Sequence, residues 1–126
     1  MTATSKDQIV CVVDDDEAVR DSTQMLLGIH GFKVRGYARA RDFLAEFTAA
    51  DTGCLILDIH MPEMTGVELL ALLRARGVAT PAIIVSGQID PAVGERLTQS
   101  GALAVLSKPV NQDELMGYVE QALASA

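Results

Sequence analysis

Five short apolar runs punctuate this chain, and each breaks off at polar residues before a helix-patterned stretch begins. The sharpest break is at the third run. Cys54-Leu55-Ile56-Leu57 reads as a buried strand and stops at a carboxylate, Asp58, after which Pro62 and Gly66 mark a loop. A charge at the end of a buried strand is costly unless something there uses it. In open α/β sheets the carboxyl ends of the strands are where ligands bind. The alternation therefore constrains the fold, and Asp58 becomes the first candidate functional residue.

Taken in order, residues 8–13 are apolar and β-branched and read as the first strand, ending in Asp14-Asp15-Asp16. One or more of these aspartates can cap a helix over 17–30. Val19, Thr23, Leu26 and Ile29 fall near helical spacing and are expected to face the core, and Gly31 is a C-terminal stop. Residues 32–37 form a second strand near a sheet edge, since Lys33 and Arg35 interrupt it. A helix over 39–48 places Phe43, Leu44 and Phe47 on one side, and 49–53 is read as a turn before the third strand.

Thr65 with Glu68 fits a capping box for a helix over 66–76. Strand four covers 82–85 and ends at Ser86-Gly87. Asp90 and Pro91 are a cap and a first-turn proline for helix four, which ends near Ser100-Gly101. Strand five, 102–106, ends at Ser107-Lys108-Pro109, and Asn111 with Glu114 begins a fifth helix that runs to the end of the chain. Five β/α units without a long interruption imply one α/β domain, residues 1–126, with a doubly wound, five-stranded parallel sheet flanked by five helices. Five strands suit the flavodoxin-like order 2-1-3-4-5.

Composition narrows the classes. Hydrophobic content of 49% argues against disorder. No apolar run reaches membrane-spanning length, and Met1 to Asp7 lack the apolar core of a signal peptide, so a cytoplasmic location and no membrane partner are expected. A net charge of −7 disfavours direct nucleic-acid binding. Cys11 and Cys54 read as reduced core thiols, as Met25 and the phenylalanines read as core. His30 reads as a helix-end residue favoured by the dipole, and Asp16 as a cap or a solvated charge.

Right-handed crossovers bring all five strand ends to one rim. Strand one delivers Asp14 and Asp15, strand three Asp58, strand four Ser86 beside Gly87, and strand five Lys108. Crowded carboxylates resist ionising unless a cation sits among them. With no Cys or His cluster, an all-oxygen site suits Mg²⁺. A lysine and a hydroxyl suit a phosphoryl group, whose oxygens both can contact. The residues thus point to a carboxylate that accepts a phosphoryl group with metal help. Capping alone explains one aspartate, but not Asp58 or Lys108 on other strands.

Val12-Val13-Asp14-Asp15, Leu57-Asp58-Ile59-His60-Met61-Pro62 with Gly66, Val85-Ser86-Gly87 and Ser107-Lys108-Pro109 resemble the four motif blocks of response-regulator receiver domains in two-component systems. Order and spacing match along essentially the whole chain, and Met61 to Leu70 is similar to receivers of LuxR-type, nitrogen-fixation-like regulators. (The 2-1-3-4-5 order is the family's own, so it is not independent of the resemblance.) The resemblance implies that Asp58 is the phosphoacceptor, and that Asp15, Asp58 and the His60 backbone carbonyl ligate Mg²⁺ while Asp14 acts through water. Lys108 would contact the phosphoryl group and pair with Asp58, Ser86 would be the switch hydroxyl, Gly87 would leave room, and the bond before Pro109 would be cis.

It further implies a sensor histidine kinase or phosphotransfer protein as partner and a phosphoprotein signalling role in transcription regulation. The face made by helix four, strand five and helix five would change on phosphorylation and support a phosphorylation-dependent homodimer. The chain is either a single-domain regulator or a receiver cut from a longer protein, and the resemblance favours the latter. Val105 stands where the family usually carries an aromatic residue that moves with the switch, so the route to that face is expected to differ. The His60 side chain either is idle in solvent or shapes access to the site. The competing class is a phosphatase-like hydrolase with Asp58 as nucleophile, but the chain has no insertion to build a substrate cap.

Overall fold

A computed structural model describes residues 8–124. The elements alternate as β1 (Ile9–Val13), α1 (Glu17–Ile29), β2 (Lys33–Tyr37), α2 (Ala40–Glu46), β3 (Thr52–Asp58), α3 (Gly66–Ala75), β4 (Ala82–Ser86), α4 (Pro91–Gln99), β5 (Ala104–Ser107) and α5 (Gln112–Ala124). All strand pairs are parallel, in the order β2-β1-β3-β4-β5. The alternation is the one the strand and helix pattern implies, and the flavodoxin-like order is the one that goes with the family resemblance. The last two residues assigned to the fifth helix lie outside the described residues.

Strand side chains alternate between faces, which splits the core in two. Val10, Val12, Ile56, Ile83 and Val85 point to one side, where Leu27 of α1 and Leu115, Val119 and Leu123 of α5 cover them. Cys11, Val13, Leu55, Leu57 and Ile84 point to the other, under Phe43 of α2, Leu69, Leu70 and Leu73 of α3 and Leu97 of α4. The central strand β3 is buried along its whole length. Its near-continuous apolar run is what a strand covered on both faces requires. Cys11 and Cys54 are buried free thiols, and burial pushes Cys54 up to about 12.

Three helices stop in the same way. Gly31, Gly77 and Gly101 have positive φ, at 87°, 79° and 85°. The next residue's N–H then reaches back to the helix, from Phe32 to the Leu27 carbonyl, Val78 to Leu73 and Ala102 to Leu97. This pattern satisfies carbonyls that the helix end leaves open, and glycine enters the left-handed region without a side-chain penalty. At the starts, Asp16 caps α1, Asp90 caps α4, and Thr65 with Glu68 forms the complete capping box of α3.

Four expectations need correction. Met25 and Ile29 are not core: they are 68% and 76% exposed. Leu27 holds the buried position instead, and Ile29 lies roughly 200° further round the helix. Residues 52 and 53 are not turn but strand. The register slips between Ile9↔Thr52 and Val10↔Cys54, a bulge at which Gly53 admits Gln8 and Leu123 within 3.0 Å of where a Cβ would stand. The second helix is shorter at both ends than 39–48, because Arg39 supplies no cap and Phe47 is extended. Strand five starts at Ala104, since Ala102 still closes the end of α4.

Candidate functional site

The strand ends meet at the rim between β1, β3, β4 and β5. Asp14 follows β1 and is 4% exposed, Asp58 closes β3 at 5%, and Ser86 closes β4 fully buried. Asp15 is exposed beside them. One carboxylate oxygen each from Asp14, Asp15 and Asp58 lies within 4.8 Å of the others. Lys108, half-buried after β5, reaches across with Nζ 3.3 Å from Asp14 Oδ2 and 3.5 Å from Asp58 Oδ1. It pairs with Asp58, as the resemblance implied, and with Asp14 as well. The Lys108–Pro109 bond is cis.

Backbone ties hold this constellation. The Asp14 N–H donates to the Tyr37 carbonyl, and Asp14 Oδ1 accepts from the Asp16 N–H at 2.9 Å. Ile59 N–H donates to the Val85 carbonyl, and Lys108 N–H to the Ser86 carbonyl at 2.8 Å. The last bond links the strand-four end directly to the lysine loop. Arg20 of α1, which no spacing in the sequence singles out, donates from Nη1 to the Asp14 carbonyl at 2.7 Å. A cation on the first turns of α1 carries no motif, and its target is a backbone atom that only folding brings near.

Electrostatics follow from burial. Burial first, and the neighbouring Asp14 charge second, push the Asp58 carboxyl above the ordinary carboxylate range, and Lys108 only partly opposes this. Burial pulls the Lys108 ammonium down, but Asp14 and Asp58 together outweigh it, so it is held above the ordinary lysine value. An apolar cavity of about 580 Å³ opens beside Asp14, Asp58 and Lys108, walled by Val12, Val19, Leu26, Ile56, Val85 and Leu115. That wall cannot solvate charge, which is part of why Asp58 resists ionising.

The acid cluster therefore has more negative charge than one lysine neutralises. Three carboxylates, joined by no nitrogen or sulfur ligand among the described residues, fit Mg²⁺, which prefers oxygen and keeps several waters. Asp15, exposed and with no ion pair among the described residues, is the carboxylate best placed for a hydrated ion.

Ser86 Oγ does not face the cluster as a donor: it donates to the Gln88 carbonyl at 2.9 Å and accepts from the Gln88 N–H at 3.3 Å. Beside it, a Cβ at Gly87 would meet nothing within 4 Å. The His60 side chain is exposed, and Val105 is half-buried on the α2–α3–α4 side of the sheet. Gly66 matters sterically: a Cβ there would stand 2.4 Å from the Asp58 carbonyl oxygen and 3.0 Å from its carbon. Both are backbone atoms of Asp58, so neither can yield cheaply. Gly66→Ala is expected to lower stability by roughly 2–3 kcal/mol, read as a drop in melting temperature. An unchanged melt would mean the loop between β3 and α3 relaxes freely.

Comparison with known proteins is consistent with this geometry. The family model described as "Response regulator receiver domain" matches residues 10–120. The C4-dicarboxylate transport transcriptional regulatory protein DctR of Rhodobacter capsulatus is 37% identical over 118 residues, covering 92% of this chain and 60% of that protein. The transcriptional regulatory protein FixJ of Bradyrhizobium diazoefficiens is 35% identical over 117 residues, covering 93% of this chain and 57% of that one. Among solved structures, response regulator StyR superposes with a TM-score of 0.88 at 35% identity, over 94% of this chain and 60% of that one. The structure titled FixJ-N gives 0.84 at 34%, over 95% of this chain and 96% of that one. The chain thus spans about 60% or less of the curated relatives' length.

Proposed function

Because the chain belongs to the response regulator receiver domain family, we propose that it is a phosphorylation-controlled switch whose phosphoacceptor is Asp58. The donor is a phosphohistidine on a histidine kinase or phosphotransfer protein. An Asp58 carboxylate oxygen attacks phosphorus, the bond from phosphorus to the imidazole nitrogen breaks, and the nitrogen keeps the electron pair and takes a proton. The observation that carries this reading is Lys108 held 3.3 and 3.5 Å from two buried carboxylates on the strand-end rim.

Each side chain then has a distinct task. The Lys108 ammonium offsets charge that gathers on the phosphoryl oxygens. Asp15 and Asp58, with the His60 carbonyl, would hold Mg²⁺ directly, and Asp14 through water; bound there, the metal supplies charge neutralisation and orients the phosphoryl oxygens. Ser86 exchanges its Gln88 partner for a phosphoryl oxygen, and Gly87 leaves that group space. The shift passes through the Ser86 carbonyl to Lys108 and through Gln88 to α4, remodelling the α4–β5–α5 face. Without an aromatic residue at Val105, backbone movement around residues 86–89 carries it.

The remodelled face would then dimerise or engage a partner, and the relatives' names as transcriptional regulators point to a transcriptional output outside residues 1–126. This domain itself would bind no nucleic acid, given its net charge of −7. Among the described residues no helix is long and apolar enough to cross a membrane. A cytoplasmic setting suits two buried, unpaired thiols.

Incubation with acetyl phosphate and Mg²⁺ tests the reading. Persistent labelling approaching one phosphoryl group per chain is expected. Rapid multiple turnover of varied phosphoesters, with no retained label, would instead make the protein a hydrolase.

A further inference from the structure

A second set of contacts lies at the far end of α4, away from the acidic cluster. Arg74, in the last turn of α3, spreads its guanidinium over four backbone carbonyls. Nε donates to Ser100 at 3.1 Å, Nη1 to Val78 at 2.9 Å and Thr80 at 3.0 Å, and Nη2 to Gly101 at 3.2 Å. Among the described residues it makes no ion pair with a carboxylate. Ser100 is the C-cap of α4 and Gly101 is its left-handed residue, so the cation sits on the carbonyl-rich, partially negative end of that helix. A Cβ at Gly101 would lie 3.4 Å from Arg74 Nε, so the turn rests directly on the guanidinium.

The two ends of α4 are held very differently. At the C-terminal end, Leu97 is fully buried, Ala102 N–H closes onto the Leu97 carbonyl, and Leu103 N–H pairs with Ala82 of β4. At the N-terminal end, Gly87, Gln88, Asp90, Pro91 and Ala92 are exposed, and Ile89 and Val93 are only half-buried. That more exposed end continues straight into Gln88, the partner of the Ser86 hydroxyl.

We propose that Arg74 is a positioning residue that pins the C-terminal end of α4 to the α3–β4 connection, so that release of Ser86 from Gln88 swings α4 about this clamp. The inference rests on the proposed switch and adds where its lever is fixed. A planar fork contacting carbonyls from two connections resists translation of the helix end, while leaving the more exposed N-terminal turn able to move. With the clamp removed, the same pull at Gln88 would slide the whole helix along the sheet, and the output face would change differently for the same chemistry at Asp58.

The test compares amide NMR spectra with and without beryllofluoride and Mg²⁺, for the native protein, Arg74→Met and Arg74→Lys. Acetyl phosphate labelling of Asp58 is the control. In the native protein, shift changes are expected to be several-fold larger at residues 87–93 than at 97–103. In both variants labelling persists and the changes spread into 97–103. Arg74→Lys keeps the charge but loses the fork, so a native pattern in that variant would overturn the clamp in favour of a simple charge at a helix end. Equal changes at both ends of α4 in the native protein, or an unaltered pattern in Arg74→Met, would also overturn it. A chain that takes no label and shows no response to beryllofluoride would instead sink the switch reading itself.

Discussion

Asp58→Asn is expected to take no label from acetyl phosphate, and metal chelation should give the same loss in the native protein. The amide oxygen is a far weaker nucleophile than a carboxylate, and the amide offers no anionic ligand to a cation. The same substitution should raise stability in metal-free buffer at neutral pH. Burial and Asp14 lift the Asp58 pKa in the fold, so the folded chain holds that proton more tightly than the unfolded chain. Stability therefore falls as pH climbs from the ordinary carboxylate range through the raised folded value, and it stays reduced above. Asparagine escapes that cost. A melting temperature roughly 3–6 °C higher at pH 7 is expected, the order for ~1 kcal/mol in a small domain, and the gain should vanish in acid below the carboxylate range. Full labelling of the variant would remove Asp58 as acceptor. A gain over the native protein no larger at pH 7 than in acid would mean that the cluster does not strain the native fold.

Much of this site was readable because its residues break a pattern. Asp58 ends an apolar run, Lys108 and Ser86 end two others, and parallel β/α topology then gathers all three at one rim. The capping signals of α3 and α4 were equally local and held in the structure. Orientation and tertiary reach were less legible. Apolar spacing on α1 fits Ile29 inward nearly as well as Leu27, and only packing against the sheet chooses between them. Thr52-Gly53 looks like a turn because a bulge and a turn favour the same glycine. Arg20 and Arg74 bind carbonyls, and a carbonyl is present at every residue, so no spacing in the sequence marks either as special. Lys108 bridging Asp14 as well as Asp58 depends on side-chain distances that four motif blocks do not specify.

Removing Asp15 and removing Lys108 should pull the site in opposite directions. Asp15→Ala takes away an exposed carboxylate of the cluster, and Mg²⁺ affinity is expected to fall about 10-fold or more. Lys108→Ala removes a cation that competes for the same oxygens, so Mg²⁺ affinity should hold or rise, although labelling becomes slow for want of a phosphoryl contact. Without metal, however, Lys108→Ala leaves two buried carboxylates facing each other. Breaking such a pair costs roughly 2–3 kcal/mol for a lysine that keeps part of its surface in water. The pH dependence separates this from lost packing. The folded pKa of Lys108 is raised, because Asp14 and Asp58 outweigh its burial. While its partners are ionised, its stabilising contribution is therefore complete below the ordinary lysine pKa and disappears as pH rises through the higher folded value. In acid the carboxylates protonate and the variant should converge on the native protein. At neutral pH, Mg²⁺ should restore the stability of Lys108→Ala more than it raises that of the native chain, since the ion supplies the missing charge. Calorimetric Mg²⁺ titrations and melts with and without the metal distinguish the cases. If Lys108→Ala lost Mg²⁺ as badly as Asp15→Ala, the lysine would be organising the metal ligands rather than competing with the ion, and its role as a phosphoryl contact would have to be abandoned.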